Sequence, residues 1–179
     1  MSPDADPLVG YDRLLWDLDG TLCVIGVDWK ALKAELRARL EAPPEARSLA
    51  EVLEVARAQG QWDACLAWVA EHEVAALERD PQLIPTTVAL LARHRARSAI
   101  LTNNTEPAVR RFFAASGVEP VPFVSRDRAG VSKPDRSYLD LIGEGWLGPR
   151  TLLIGDTDVD AALAAEGGVE FLHVDALTA

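Results

Sequence analysis

Arg13-Leu14-Leu15-Trp16-Asp17-Leu18-Asp19-Gly20-Thr21-Leu22 decides the architecture of this chain. A short apolar run that stops at carboxylates and a glycine reads as a buried strand ending in a turn. Three later stretches repeat the form: 98–102 ending in Asn103-Asn104, 151–154 ending in Gly155-Asp156, and 169–174 ending in Asp175. A weaker strand is predicted at 121–124. Helical patterns occupy 86–97, 107–116, 135–142 and 158–166 between these runs. Strand and helix in alternation, with strands continuously apolar, predict an α/β fold: a Rossmann-like parallel sheet with helices on both faces.

Residues 25–79 interrupt the alternation. This stretch is rich in Ala, Leu, Glu and Arg, holds no convincing strand, and divides at Pro43-Pro44 and Gly60 into helices predicted over 28–40, 47–59 and 62–79. Placed after the first strand, it reads as a small all-helical cap, with Pro81 and Pro85 marking the return. The expected division is 1–24 and 80–179 as the core and 25–79 as the cap.

The 179 residues carry 18 basic and 28 acidic side chains, a net charge of −10. That surplus repels polyphosphate backbones and anionic lipid heads, so neither nucleic acid nor membrane is an expected partner. An anionic substrate needs a local positive centre. Hydrophobic residues make up 49% and charged residues 26%, a composition that folds. The first ten residues carry no signal-peptide pattern and no apolar run is long enough to span a bilayer. Cys23 and Cys65 make neither a disulfide framework nor a metal site, and read as reduced thiols. A cytoplasmic protein, monomeric or weakly dimeric, is expected.

Asp17 and Asp19 leave the carboxyl end of the first strand on the same side, where open parallel sheets bind their ligands. A lone Asp there would ordinarily cap a turn. Here Asp156 ends another predicted strand and Asp160 follows one helical turn later. Carboxylates gathered at one edge repel one another unless a cation joins them, and hard oxygen ligands suit Mg²⁺. Thr102 and Asn103 offer a hydroxyl and an amide for an anionic oxygen, although both are also common turn residues. Lys133, in Val131-Ser132-Lys133-Pro134-Asp135, is the counter-charge for a phosphoryl group among the four Asp residues.

Four segments in this order resemble the haloacid dehalogenase-like superfamily: Asp17-Leu18-Asp19-Gly20-Thr21-Leu22, Leu101-Thr102-Asn103, Ser132-Lys133-Pro134 and Gly155-Asp156-Thr157-Asp158-Val159-Asp160. The nearest likeness is to phosphoglycolate-phosphatase-like members with a helical cap. The resemblance implies a Mg²⁺-dependent hydrolase of a small phosphorylated metabolite working through an aspartyl phosphate. Asp17 would be the nucleophile and Asp19 the general acid and base, lending its carbonyl to the metal. Thr102, Asn103 and Lys133 would hold the phosphoryl group, Asp156 would bind the metal, and Asp160 would bind or orient it. Gly20 and Thr21 would shape the loop around the phosphate.

After the first motif, where such enzymes commonly carry an acidic residue or Ser, this chain has Cys23-Val24-Ile25-Gly26. Cys23 reads as a buried small hydrophobe rather than a reactive thiol. Trp29, Trp62 and Trp68 with Arg37, Arg39 and Arg47 are candidates for a substrate pocket, but helix packing and a solvated face are the preferred readings. His72, His94 and His173 read as structural. Alternatives within reach are a phosphomutase, a 2-haloacid dehalogenase, against which Asp19 and Asp156 argue, and a non-catalytic phosphate-binding module.

Overall fold

The computed structural model describes residues 6–178. The reading of residues 1–5 as free of a signal peptide therefore lies outside the described residues. In chain order the elements are β1 (Arg13–Trp16), β2 (Cys23–Val24), α1 (Trp29–Arg39), α2 (Leu49–Ala58), α3 (Trp62–Arg79), β3 (Gln82–Leu83) and α4 (Pro85–Arg93). There follow β4 (Ser98–Leu101), α5 (Glu106–Ser116), β5 (Phe123–Val124), α6 (Arg126–Ala129), α7 (Ser137–Ile142), β6 (Thr151–Gly155), α8 (Asp158–Gly167), β7 (Glu170–His173) and α9 (Asp175–Thr178).

Five strands form one parallel sheet in the order β5-β4-β1-β6-β7. Its two faces can be read off β1. Leu14 and Trp16 join Ile100, Leu152, Ile154 and the α5 residues Val109 and Phe112 in one cluster, while Leu15 joins Ala99, Leu101 and Leu153 with Tyr138, Leu139 and Leu163 in another. Successive strand side chains point to opposite faces, so a strand covered by helices on both sides must be apolar at every position. Trp16 keeps its one polar atom satisfied inside this core by donating from Nε1 to Ser98 Oγ at 3.1 Å.

β1 ends at Trp16, immediately before the first of the carboxylates. The Asp17 amide still donates to the Ile154 carbonyl at 2.9 Å, but the Leu18 carbonyl then accepts from the amides of Thr21, Leu22 and Cys23, which rolls the chain into a turn. Two features were not expected. β2 and β3 pair antiparallel, Cys23 with Leu83 and Val24 with Gln82, and so pin the entry and exit of the helical segment together. The helix predicted over 86–97 stops at Arg93 and gives way to a 3₁₀ turn at Arg95–Arg97.

The three inserted helices have a cluster of their own, built on Leu32, Leu36, Val52, Leu53, Leu66 and Val69. Asp28 caps α1 by accepting from the Ala31 amide, and Ser48 with Glu51 closes a capping box on α2. α3 serves both layers: its first half packs in this cluster, while Ala76 and Leu77 join the main core. No helix among the described residues is long and apolar enough to cross a membrane.

Candidate active site

β4, β1 and β6 lie side by side, so the residues that follow them leave the sheet at one edge. Asp17 follows Trp16, Thr102 follows Leu101, and Asp156 follows Gly155. Between them is a cavity of about 220 Å³, lined by Asp17, Asp19, Thr102, Asn103, Lys133, Asp156 and Asp160 among others. Seven of the nine residues singled out in the sequence thus share one space.

Lys133 organises the charge. Its Nζ donates to Asp17 Oδ1 at 2.6 Å, to Asp160 Oδ1 at 2.5 Å and to the Leu101 carbonyl at 3.0 Å, with all three side chains nearly out of water. Burial would strip the ammonium of its proton, but the Asp17 and Asp160 carboxylates beside it hold its pKa above the ordinary lysine value. Asp17 is pushed up from the carboxylate range, first by burial; Lys133 pulls it down and Asp160 pushes it up. The Asp17 carboxylate is held at Oδ1 by Lys133 and lines the cavity.

Asp19 is fixed at both oxygens: Oδ1 accepts from the Ile25 amide at 2.7 Å and Oδ2 from the Trp29 indole at 3.1 Å. Burial nevertheless raises its pKa, with the neighbouring Asp156 charge in support. Asp160 is also spoken for. Besides Lys133, its Oδ2 accepts from Thr157 Oγ1 at 2.6 Å and from the Thr157 amide at 3.2 Å, the capping box of α8. The space for this carboxylate exists because residue 155 is glycine, where a Cβ would sit 2.5 Å from Asp160 Cβ and Cγ.

Asp156 differs from the rest. Its Oδ1 is buried with no hydrogen-bond partner among the described residues, and one carboxylate oxygen from each of Asp17, Asp156 and Asp160 lies within 4.8 Å of the others. An orphaned carboxylate oxygen beside other carboxylates is what a hard divalent cation completes. Four carboxylates against Lys133 and Arg126 still leave the cavity with an excess of acidic groups, and the residues present fit Mg²⁺.

Asn103 spends its side-chain oxygen on the Lys133 amide at 2.8 Å and on the Tyr138 hydroxyl at 3.1 Å, so that end of it positions the lysine loop. The Thr102 hydroxyl is fully buried and donates to Asn104 Oδ1 at 2.7 Å. Neither Gly20 nor Thr21 lines the cavity. Gly20, at φ +83°, clears space for Asp156, whose Oδ2 would lie 2.1 Å from a Cβ there. Thr21 is fully buried beneath the turn, and its carbonyl accepts from Thr87 Oγ1 at 2.6 Å.

In the inserted helices, Trp29 packs against the helical cluster as expected, and in addition it lines the cavity and holds Asp19. Trp62 and Trp68 lie under the guanidiniums of Arg57 and Arg39, at 3.7 and 4.6 Å, away from the cavity. Arg37 and Arg47 do not line it either. Cys23 is buried, and burial pushes its thiol well up, as expected of an inert residue.

Glu73, Asn104 and Arg126 went unnoticed in the sequence. Glu73 lies fully buried on the apolar stripe of α3 with Val69, Ala76 and Leu77, and an acid at that spacing was the readable signal. It accepts from Asn104 Nδ2 at 2.8 Å, from the Thr105 amide at 3.0 Å and from Thr105 Oγ1 at 2.5 Å. Thr102, Asn104 and Glu73 thus form a chain from the cavity to the inserted helices. Arg126 lines the cavity, and no periodic signal marked it.

Residues 11–168 match a protein-family model described as a hydrolase of the haloacid dehalogenase-like type. Among solved structures the chain is similar to magnesium-bound YfnB of Bacillus subtilis, assigned as a HAD-hydrolase (19% identity, TM-score 0.58, 90% of this chain and 87% of that one). It is similar to a protein assigned as a phosphoglycolate phosphatase from Lactobacillus plantarum (20%, 0.63, 92% and 86%). A third is CbbY from Rhodobacter sphaeroides in complex with phosphate (18%, 0.61, 91% and 85%). At such identities the likeness speaks for the fold. No curated protein sequence matches the chain.

Proposed function

The chain belongs to the haloacid dehalogenase-like hydrolases, and from that membership we propose that it is a Mg²⁺-dependent phosphatase of a small phosphomonoester. The observation that carries this reading is the placing of Asp17, whose carboxylate lines the cavity with Oδ1 held by Lys133. A carboxylate held this way can attack phosphorus in line without reorienting.

In the first step the Asp17 carboxylate forms a bond to phosphorus as the ester oxygen leaves. Asp19, kept protonated more readily by its raised pKa, gives its proton to the departing alkoxide. In the second step the Asp19 carboxylate takes a proton from water, whose oxygen attacks the aspartyl phosphate and returns Asp17 with inorganic phosphate. Lys133 neutralises charge on Asp17 and on the phosphoryl oxygens, and Asp160 keeps the ammonium in place. The Thr102 hydroxyl can serve the phosphoryl group only by turning from Asn104. Asp17, Asp156 and the Asp19 carbonyl would hold Mg²⁺, with Asp160 ordering its surroundings; the ion supplies positive charge for the equatorial oxygens.

On this reading residues 1–24 and 80–179 are the catalytic core, and residues 25–79 are the cap that covers the cavity through Trp29 and Leu49. The substrate is a soluble phosphorylated metabolite, and the site of action is the cytoplasm. The test is phosphate release from a panel of phosphomonoesters with Mg²⁺ and with chelator, using Asp17→Asn as the blank. Turnover that depends on Mg²⁺ and falls by about 10⁴-fold or more in Asp17→Asn is expected. Undiminished turnover in that variant would remove Asp17 as nucleophile.

A further inference from the structure

Glu73 is a buried acid placed among donors. On α3 it lies between Val69, which packs among the inserted helices, and Ala76, which packs in the main core, so it marks where the helix passes from one layer to the other. Its Oε1 accepts from Asn104 Nδ2, and its Oε2 accepts from both the amide and the hydroxyl of Thr105. Glu73, Thr102, Asn104 and Thr105 are each 5% exposed or less. Burial pushes the Glu73 pKa up, against the pull of these donors and of Arg126. A neutral amide in its place has one accepting end and could answer Thr105 or Asn104, but not both. The carboxylate answers both.

A carboxylate only accepts hydrogen bonds, so Asn104 must turn its Nδ2 toward Glu73 and its Oδ1 away. Oδ1 then faces Thr102, whose Oγ1 donates to it at 2.7 Å. The same Oγ1 accepts from the Asn104 backbone amide at 3.0 Å, so the hydroxyl is fixed through its oxygen and through its proton. Thr102 lines the cavity beside Asp17 and Lys133, and with its proton committed to Asn104 it can donate to an anion there only by giving up that bond. The direction of the proton is thus decided at Glu73.

We propose that Glu73 is a positioning residue for Thr102: acting through Asn104, it keeps the hydroxyl proton turned from the cavity and so limits how tightly the site holds phosphate. This rests on the phosphatase reading, in which Thr102 serves the phosphoryl group. In Glu73→Gln the new amide oxygen stays with the Thr105 backbone N–H, which cannot turn, and the new NH₂ group faces Asn104. Asn104 must then turn over, giving its Oδ1 to that NH₂ and its Nδ2 to Thr102 Oγ1. With two donors on its oxygen, the Thr102 hydroxyl has its own proton free for an anion.

The experiment is calorimetric binding of inorganic phosphate in the presence of Mg²⁺. Glu73→Gln should tighten phosphate by about three- to tenfold, the effect of one hydrogen bond that no longer has to be broken. Removal of a negative charge would also tighten it, so the same substitution is made in a Thr102→Val background, where the gain should be smaller by about threefold or more. Glu73→Asp keeps a group that only accepts, and should stay within about twofold of wild type. Asn104→Ala removes the acceptor of the Thr102 proton while Glu73 keeps its charge; it too should tighten phosphate, and it decides the matter if Glu73→Gln does not fold. Equal gains in the two backgrounds, or unchanged or weaker binding in Glu73→Gln and Asn104→Ala, overturn Glu73 as a positioning residue and leave the phosphatase reading intact. If wild type binds phosphate but turns over no phosphomonoester, the phosphatase reading fails and the same comparison still judges Glu73. Phosphate bound by none of these proteins overturns both.

Discussion

The indole Nε1 of Trp29 donates to Oδ2 of Asp19 at 3.1 Å, so the first residue of α1 in the inserted segment holds a carboxylate of the sheet edge. Asp19 receives its other hydrogen bond from the Ile25 amide, at the start of the same connection. The helical segment therefore does more than cover the cavity, because it sets the orientation and acidity of the proposed acid and base.

Trp29→Phe removes that hydrogen bond and keeps most of the ring in the helix packing. A hydrogen bond to a charged group is worth about 1.5–3 kcal/mol, so kcat/KM should fall by about tenfold or more. The indole lowers the Asp19 pKa, and its loss should move the limb of the pH–rate profile that reports Asp19 to higher pH. The melting temperature should fall by no more than a few degrees. A profile that keeps its shape would mean the indole does not act through Asp19.

Gly20→Ala should be more damaging than an ordinary loop substitution. At φ +83° any side chain is strained, and here the Cβ would also lie 2.1 Å from Asp156 Oδ2, forcing that carboxylate out of place. Gly130 provides the control, with φ +69° and nothing within 4 Å of its Cβ. Both Ala variants should lose about 1–3 kcal/mol in urea unfolding. Only Gly20→Ala should also raise the Mg²⁺ concentration needed for half-maximal activity.

Much of this arrangement was legible in the chain, for physical reasons that also explain the omissions. β1, β4 and β6 were readable because a strand buried on both faces must be apolar throughout, and the polar residues ending each run mark the ligand edge. β2 and β3 are two residues long and carry no periodicity, so the ribbon they form could not be read. The helix predicted from residue 135 begins at Ser137, because Asp135 Oδ1 accepts from the Ser137 amide and hydroxyl and makes a turn instead. Motif residues whose part is played through the backbone or a neighbour were placed but not understood. Thr21 supports from below, and Gly155 clears room for Asp160. Trp29 looked like any amphipathic-helix tryptophan, since its partner lies ten residues upstream across a turn that spacing alone does not reveal.

His94 has a structural place, with its Nε2 2.7 Å from Asp6 Oδ2. Burial works against the Asp6 charge, but the Leu8 amide, His94 and Arg93 together hold its pKa below the ordinary carboxylate value. A depressed carboxylate stabilises the fold above its unfolded pKa, and that contribution is lost as pH falls through the folded value. Asp6→Asn should therefore be less stable than wild type near neutrality in urea unfolding, with the two converging in strong acid. A difference that persists undiminished in acid would assign the effect to something other than this charge.

Lys133 sits between Asp17 and Asp160 with all three side chains buried, so its removal tests the charge balance of the site itself. Lys133→Met fills a similar volume but leaves two neighbouring carboxylates without their counter-charge. Breaking a buried pair from one side typically costs about 3–5 kcal/mol, and activity should disappear with it. The pH dependence has a definite sign. Burial and Asp160 already raise the Asp17 pKa, and the ammonium that lowers it would be gone, so its folded-state pKa must rise further above the unfolded value. A group raised in this way favours the fold below its unfolded pKa and loses that contribution as pH climbs through the folded one. In the wild type, the Lys133 pKa is itself raised, so the ammonium stays charged until well into alkaline solution. The deficit of Lys133→Met relative to wild type should thus be small in acid, where the carboxylates take up protons, and should widen toward neutrality. Urea midpoints measured without Mg²⁺ across that range give the comparison, and a deficit that does not change with pH would show that lost packing, rather than uncompensated charge, accounts for the damage.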